Sequence, residues 1–233
     1  MKVLDIPVLN RLIQSGIVED DNGQSHALTS GVDIHYAQAL HDLVLREKPQ
    51  VVVEVGFANG VSTLSILSAL EENGGSGRLI SIDPYQTDHW HRAGVAHVRR
   101  AGFAARHQHI EVSDHLALPA LLADGTHVDL AYIDGAHTFD HVFLDFFYLD
   151  KMLSPGRLMG FNDCIYPAIH RVLRYLHTNR HYREVDVGLA RDFSGKYGIL
   201  SQLVRRLEDR TPADRYYRKL EDITPAWDFY KRF

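Results

Sequence analysis

Val51, Val52 and Val53 follow one another with no polar residue between them, and this run constrains the chain more than any other feature. β-Branched side chains favour extended backbone, and successive side chains of a strand point to opposite faces. An unbroken apolar run is therefore the mark of a strand buried on both faces, as in a parallel sheet covered by helices on each side. The run stops at Glu54, and Gly56 and Gly60 bracket a short loop before residues 61–70 return to helical spacing. A turn at 73–77 and a second apolar run at 79–82 complete one βαβ unit.

The alternation continues with a helix over 91–105, a strand over 109–112, a helix over 116–123 and a strand over 128–133. A helix over 138–152 then leads through a turn at Pro155 and Gly156 to a strand over 158–161. Upstream, Asp33 is placed to cap a helix running to Arg46, with Tyr36, Leu40, Leu43 and Val44 at helical spacing and Pro49 as a stop. Downstream, a helix over 168–178 precedes two apolar runs, 182–187 and 197–201, which read as a terminal antiparallel hairpin. The expectation is an α/β, doubly wound, mostly parallel seven-stranded sheet of Rossmann-like type with right-handed crossovers. Residues 1–32, with an amphipathic piece at 8–13, read as an N-terminal appendage or lid, 33–202 as the body, and 203–233 as a charged helical tail. That tail closes with Trp227, Phe229, Tyr230 and Phe233. Such aromatics need cover, either from their own domain or from a second copy in a homodimer.

A formal charge of -5 does not suit a protein that must neutralise many phosphates, so nucleic acid is not an expected partner. The lone cysteine, Cys164, rules out an internal disulfide and fits a reducing compartment, with the cytoplasm as the expected location. No run of about 18 apolar residues occurs and no export signal is read at the start, so no membrane association is expected. Histidines number 15 and crowd the middle of the chain, but without an HExxH arrangement the crowding alone does not mark a metal site.

In open α/β sheets ligands sit beyond the carboxyl ends of the strands, near the reversal of strand order. Several polar residues fall there. Glu54-Val55-Gly56-Phe57-Ala58-Asn59-Gly60-Val61-Ser62 is an ExGxxxG loop running into a helix. Its glycines permit a sharp turn and close approach, and the helix start offers unpaired amides to an anionic group. A nicotinamide dinucleotide would call for GxGxxG, which this loop lacks. Asp83 ends the second strand, where a carboxylate can accept both hydroxyls of a ribose, and Pro84 and Tyr85 follow as flat surface for a purine. Ser113 and Asp114 stand one strand further on, in position to read an adenine amino group. Taken singly, the glycines also read as a strand terminator and Asp83 as a helix cap; the ordered set is harder to explain that way.

These residues resemble the cofactor motifs of class I S-adenosylmethionine-dependent methyltransferases, over residues 33–163. The resemblance implies that Glu54, Gly56, Asn59 and Ser62, with Phe57 in the same loop, line the methionine end of the cofactor. It likewise implies that Asp83 holds the ribose, and that Tyr85 with Asp114, beside Pro84 and Ser113, holds the adenine.

After the fourth strand stands Ile133-Asp134-Gly135-Ala136-His137, and after the fifth Phe161-Asn162-Asp163. Asp134, Asn162 and Asp163 are oxygen ligands on adjacent strand ends, a set suited to Mg2+ or another divalent ion that would lower the pKa of a bound hydroxyl. The arrangement resembles catechol- and caffeoyl-type O-methyltransferases, and sugar O-methyltransferases of macrolide pathways. In the catechol type a lysine base stands three positions after the fourth-strand Asp; here His137 takes that place, and the Asn-Asp order at the fifth strand is reversed. An imidazole near neutral pH is a competent base. Plainer readings make Asp134 a hydrogen-bond acceptor for the cofactor, Asp163 a helix cap and His141, one turn beyond His137, a packing residue or a partner that supports a site residue. The expected function is O-methylation of a small hydroxylated acceptor, a sugar or a phenol, with His137 and Asp134 catalytic. The alternative is a catalytically inactive, cofactor-binding partner or regulatory subunit of the same fold.

Overall fold

The computed structural model describes residues 2–189 and 214–233. Seven strands form the main sheet: β3 (Val51–Val55), β4 (Arg78–Ile82), β5 (His107–Ile110), β6 (Val128–Ile133), β7 (Leu153–Phe161), β8 (Tyr182–Val185) and β9 (Arg215–Lys219). Their order is β5-β4-β3-β6-β7-β9-β8. The first five are parallel, and β9 runs antiparallel to both β7 and β8. The doubly wound, mostly parallel sheet with its terminal antiparallel pair is the architecture the valine run and the alternation predict.

The reason for that run is visible in the core. Val52 packs with helices α1 (Pro7–Ser15), α2 (Ile34–Glu47), α3 (Val61–Asn73) and α4 (Ala93–Arg100) on one face. Val53 packs with α5 (Asp114–Ala123), α6 (Phe139–Met152) and α7 (Pro167–Asn179) on the other. Asp33 caps α2 as expected, its side chain accepting from the His35 amide at 2.8 Å. Among the described residues no helix is long and apolar enough to cross a membrane.

Several boundaries differ from expectation. Strand β5 starts and ends two residues earlier than the predicted 109–112, because its partner β4 stops at Ile82, opposite Ile110. Glu111 then leaves the sheet to accept from the Thr87 amide. Helix α4 occupies only the middle of 91–105, since Gly102 at φ +81° ends it. Pro155 and Gly156 do not separate a helix from a strand. They sit on an exposed stretch inside β7, where the register with β6 shifts between Val128 and Leu130. The N-terminal residues carry, besides α1, a small hairpin of β1 (Ile17–Glu19) and β2 (Ser25–Ala27) that sequence reading leaves unassigned.

The predicted second hairpin strand at 197–201 lies outside the described residues. The strand paired to β8 is β9, within the segment expected to be a helical tail. Arg215, Arg218 and Lys219 make that segment look like a solvated helix, yet Tyr216 and Tyr217 between them are fully buried, one on each face of the sheet. Residues 220–233 contain no helix.

The reversal of strand order falls between β3 and β6, so the loops after these strands must diverge from a common point. Gly56 makes this possible. It has φ +95°, and a Cβ built there would lie 2.1 Å from the Asp134 carbonyl oxygen. Gly56→Ala is expected to lower stability by about 3 kcal/mol or more, through strain at positive φ and a backbone clash. Urea unfolding reads this directly, and a variant within about 0.5 kcal/mol of the parent would show that the β3 and β6 tips separate freely.

Candidate active site

A cavity of about 380 Å³ opens where the strand order reverses, a volume suited to a small molecule. Its floor is the loop after β3, from Gly56 to Ser62, together with Asp83 after β4 and Asp134 after β6. The Asp83 carboxylate ties two of these elements together. Its Oδ2 accepts from the amides of Phe57 at 3.2 Å and Ala58 at 2.7 Å, and its Oδ1 from the Tyr85 amide at 2.8 Å. Helix α3 starts at this loop with no side chain capping it, so its first-turn amides face the cavity end without an intramolecular acceptor.

Of the residues predicted for the cofactor, Gly56, Phe57, Asn59, Ser62, Asp83, Pro84, Tyr85, Ser113, Asp114 and Asp134 line the cavity. Glu54 does not. It is fully buried behind the loop, where Ser62 Oγ and Thr63 Oγ1 each donate to it at 2.6 Å and Ser81 Oγ at 2.7 Å. Its carboxyl therefore fastens the first turn of α3 to β4 instead of meeting a ligand. Burial, against these three hydroxyls, pushes its pKa up to about 7.

His137 lines the cavity beside Asp134. Its Nε2 lies 3.4 Å from Asp163 Oδ2 and 3.7 Å from Asp134 Oδ1, and has no hydrogen-bond partner. Asp134 foremost, and then Asp163, hold the imidazole above its ordinary pKa, against desolvation. Burial raises Asp134 to about 6. Asn162 is turned away: its Nδ2 donates to Asp214 Oδ1 at 2.7 Å in a buried cluster with Tyr132 and Tyr216. Burial pushes Asp214 up to about 7.

Sequence reasoning missed several contributors. Ser30, Gly31 and Val32, assigned to the appendage, line the cavity, and Asn59 Nδ2 donates to the Ser30 carbonyl at 2.8 Å. Trp90 adds an aromatic wall. His141, read as packing or as a partner supporting a site residue, lines the cavity itself, with Nδ1 2.6 Å from Asp114 Oδ2; its spacing of one turn from His137 was the available signal.

A family model described as a methyltransferase domain matches residues 53–164. Over that stretch the chain is similar to a methyltransferase domain. The recognition of a class I, S-adenosylmethionine-dependent enzyme made from the motifs is thus supported by family and by fold. The fold is shared with solved structures, among them three that the chain covers over most of their length. Cofactor-bound Rv0187 from MTB is 14% identical with a TM-score of 0.64, covering 93% of this chain and 91% of its own. TomG from Streptomyces achromogenes, an O-methyltransferase involved in tomaymycin synthesis and solved with SAM, is 16% identical with a TM-score of 0.62, covering 94% and 90%. An O-methyltransferase from Bacillus cereus, solved with SAH, is 13% identical with a TM-score of 0.62, covering 93% and 95%. No curated protein matches the chain.

The cavity presents groups that suit an adenosyl amino acid: the uncapped start of α3, the Asp83 carboxylate, and the side chains of Tyr85, Trp90 and Asp114. The predicted divalent-metal set does not fit. Among the described residues no three His, Cys, Asp or Glu side chains are placed to hold an ion. The Asn162 amide is committed to Asp214, and an imidazole stands between Asp134 and Asp163.

The Glu54 network carries a pH signature. Its pKa in the folded protein, about 7, lies above the ordinary 4.5 of a glutamate. The unfolded chain therefore loses this proton first, and stability falls as pH rises from about 4.5 to about 7. Glu54→Gln should flatten that slope, leaving the part due to Asp134 and Asp214. Urea midpoints at pH 5 and pH 7.5 for both proteins test this, and an unchanged slope would mean that Glu54 is ionised throughout.

Proposed function

We propose that this methyltransferase transfers the methyl group of S-adenosylmethionine to a hydroxyl of a small acceptor, a sugar or a phenol, with His137 as general base. The observation that carries the reading is the unpartnered Nε2 of His137, held between two carboxylates at the wall of the cavity. A buried ring nitrogen with carboxylates nearby but no well-directed hydrogen bond is incompletely satisfied, and an acceptor hydroxyl would supply that bond.

The sulfonium of the cofactor supplies an electrophilic methyl group. Toward it the chain contributes binding and orientation: Asp83 for the ribose hydroxyls, the α3 amides for the carboxylate, and Pro84, Tyr85 and Asp114 for the adenine. His137 accepts the acceptor's proton at Nε2, and Asp134 and Asp163 stabilise the imidazolium that results. Asp163 adopts φ +52°, and the Tyr166 ring lies 5.5 Å from that of His137, so the turn after β7 brings both a carboxylate and an aromatic surface to the acceptor side. Two of the solved structures of this fold are themselves O-methyltransferases, which favours oxygen as the acceptor atom. Ile133-Asp134-Gly135-Ala136 lacks the NPPY or DPPY tetrad expected for base amino groups.

The same reading pairs the chain as a homodimer. Phe233 packs edge-on against Tyr175, whereas Trp227 and Tyr230 stay exposed at 97% and 75%; a second copy would cover them, and sedimentation equilibrium at micromolar concentration tests this. A reducing compartment, the cytoplasm, suits the buried free thiol of Cys164.

Titration calorimetry with S-adenosylhomocysteine should show binding, and Asp83→Ala should weaken it by about 100-fold, through loss of a charge-assisted hydrogen bond to the ribose together with the amide contacts that hold the loop after β3. A labelled-methyl assay over phenols, catechols and sugars should find an acceptor, with His137→Ala lowering turnover at least ~100-fold while homocysteine-analogue affinity stays within about threefold. Methyl transfer only to amines or thiols, or full turnover by His137→Ala, would refute the proposal.

A further inference from the structure

The turn after β7 carries two groups that stand against His137. Asp163 Oδ2 lies 3.4 Å from His137 Nε2, and the Tyr166 ring lies 5.5 Å from the imidazole. Asp163 sits at φ +52°, a left-handed conformation that a non-glycine residue holds only where its surroundings over-determine it. The turn's own bonds are few. The Tyr166 amide donates to the Asp163 carbonyl at 2.9 Å and Cys164 Sγ to the Phe161 carbonyl at 3.2 Å, while α7 starts at Pro167 with no side chain capping it.

The firmer attachment is one residue upstream of Asp163. The backbone N–H of Asn162 extends the pairing of β7 with β6 by donating to the Ile133 carbonyl at 3.0 Å. Its side-chain Nδ2 donates to Asp214 Oδ1 at 2.7 Å. Asp214 is 1% exposed and stands immediately before β9, which pairs with β7 from Phe161 opposite Arg215 to Leu158 opposite Arg218. Its Oδ2 accepts from the Tyr132 hydroxyl at 2.8 Å and the Tyr216 hydroxyl at 3.2 Å. Gly160 leaves the space for both rings: a Cβ there would lie 2.5 Å from Tyr216 and 3.0 Å from Tyr132. Neither Asp214 nor Asn162 lines the cavity. Burying an acid so deeply is costly, and apolar contacts would hold the strands together as well. What three directed bonds to one carboxyl add is a fixed direction for the side chain, and hence for the chain, at the point where the turn begins.

We infer that Asp214 and Asn162 are positioning residues for the methyl transfer: Asp214, through the Asn162 side chain, sets the turn that holds Asp163 and Tyr166 against His137. The inference deepens the proposed role of His137 as base and rests on it. A carboxylate displaced from the imidazole by a fraction of its present distance stabilises the imidazolium less, with no change at the cofactor end of the cavity.

The test measures labelled-methyl turnover by the full chain with the acceptor that the parent uses best among phenols, catechols and sugars, normalised to the sites titrated by S-adenosylhomocysteine. Asn162→Leu, close in volume but lacking the amide, should lower kcat about 10-fold while KM for S-adenosylmethionine stays within about threefold. Asp163→Asn should lower kcat by a similar factor. Combining the two should cost less than about twofold more than either alone, whereas a merely structural role for Asn162 would multiply the losses. Asp214→Leu should match Asn162→Leu. Asp214→Asn should restore kcat to within about threefold of the parent, because its carbonyl still accepts from Asn162 and the tyrosine hydroxyls can accept from its amide group. If Asp214→Leu fails to fold, Asn162→Leu and Asp214→Asn still decide. In crystals of Asn162→Leu, Asp163 Oδ2 should lie at least about 1 Å further from His137 Nε2, with the loop after β3 unmoved. Parent-like turnover by Asn162→Leu, multiplied losses in the double variant, an unmoved Asp163, or equal losses for Asn and Leu at 214 would overturn the inference. Should His137→Ala be inactive and Asn162→Leu match the parent, this inference fails alone; should His137→Ala keep full turnover, or the parent methylate none of the acceptors, the base reading fails and takes it along.

Discussion

A single carboxylate, that of Asp83, joins the two halves of the binding crevice. Strands β3 and β4 end side by side, and the chain leaves each in a different direction. By accepting from the Phe57 and Ala58 amides and from the Tyr85 amide, Asp83 holds the loop after β3 and the turn after β4 at a fixed separation. Three charge-assisted hydrogen bonds to backbone are worth more than neutral ones in a partly desolvated site. The cavity's floor, the start of α3 and the aromatic wall at Tyr85 all take their places from this contact.

Beneath it the protein buries other acids, and each is compensated differently. Glu54 gathers three hydroxyls and clamps α3 to β4. Asp214 gathers two tyrosine hydroxyls and the Asn162 amide, and so ties β9 to the tips of β6 and β7. Asp145 is offset by no donor at all, which leaves a retained proton as its means of remaining buried. Asp134 keeps part of its surface in the cavity with an imidazole beside it. The result is a crevice whose reactive groups rest on a polar substructure made inside the fold, and only a few of these carboxylates are left to face a ligand.

The fold was legible because it rests on local pattern. The Val51 to Val53 run, the glycines at 56 and 60 and the cap at Asp33 each state a local conformational preference that the packing then reinforces. Strand β9 was not legible: charged residues flank its two buried tyrosines, and its burial depends on Lys219 meeting Asp150 and the Leu153 carbonyl far away in the chain. The same limit applies to Asn162, whose neighbours in sequence suggest a metal ligand but whose amide is claimed by Asp214, 52 residues on.

The sequence by itself determined the order of strands and helices from α2 to α7, the place of the crevice at the strand tips and most of the residues that reach it from the loops after β3, β4 and β6, since these follow from hydrophobic period and from turn chemistry read over a few residues. Only the tertiary structure decided which acids face the cavity and which turn inward: Glu54 away from it, Asp83 toward it, Asp114 toward it with His141 beside it. Direction and protonation depend on what lies across the sheet or on the next helix, and a side chain's solvation is set by those distant partners, not by its neighbours along the chain.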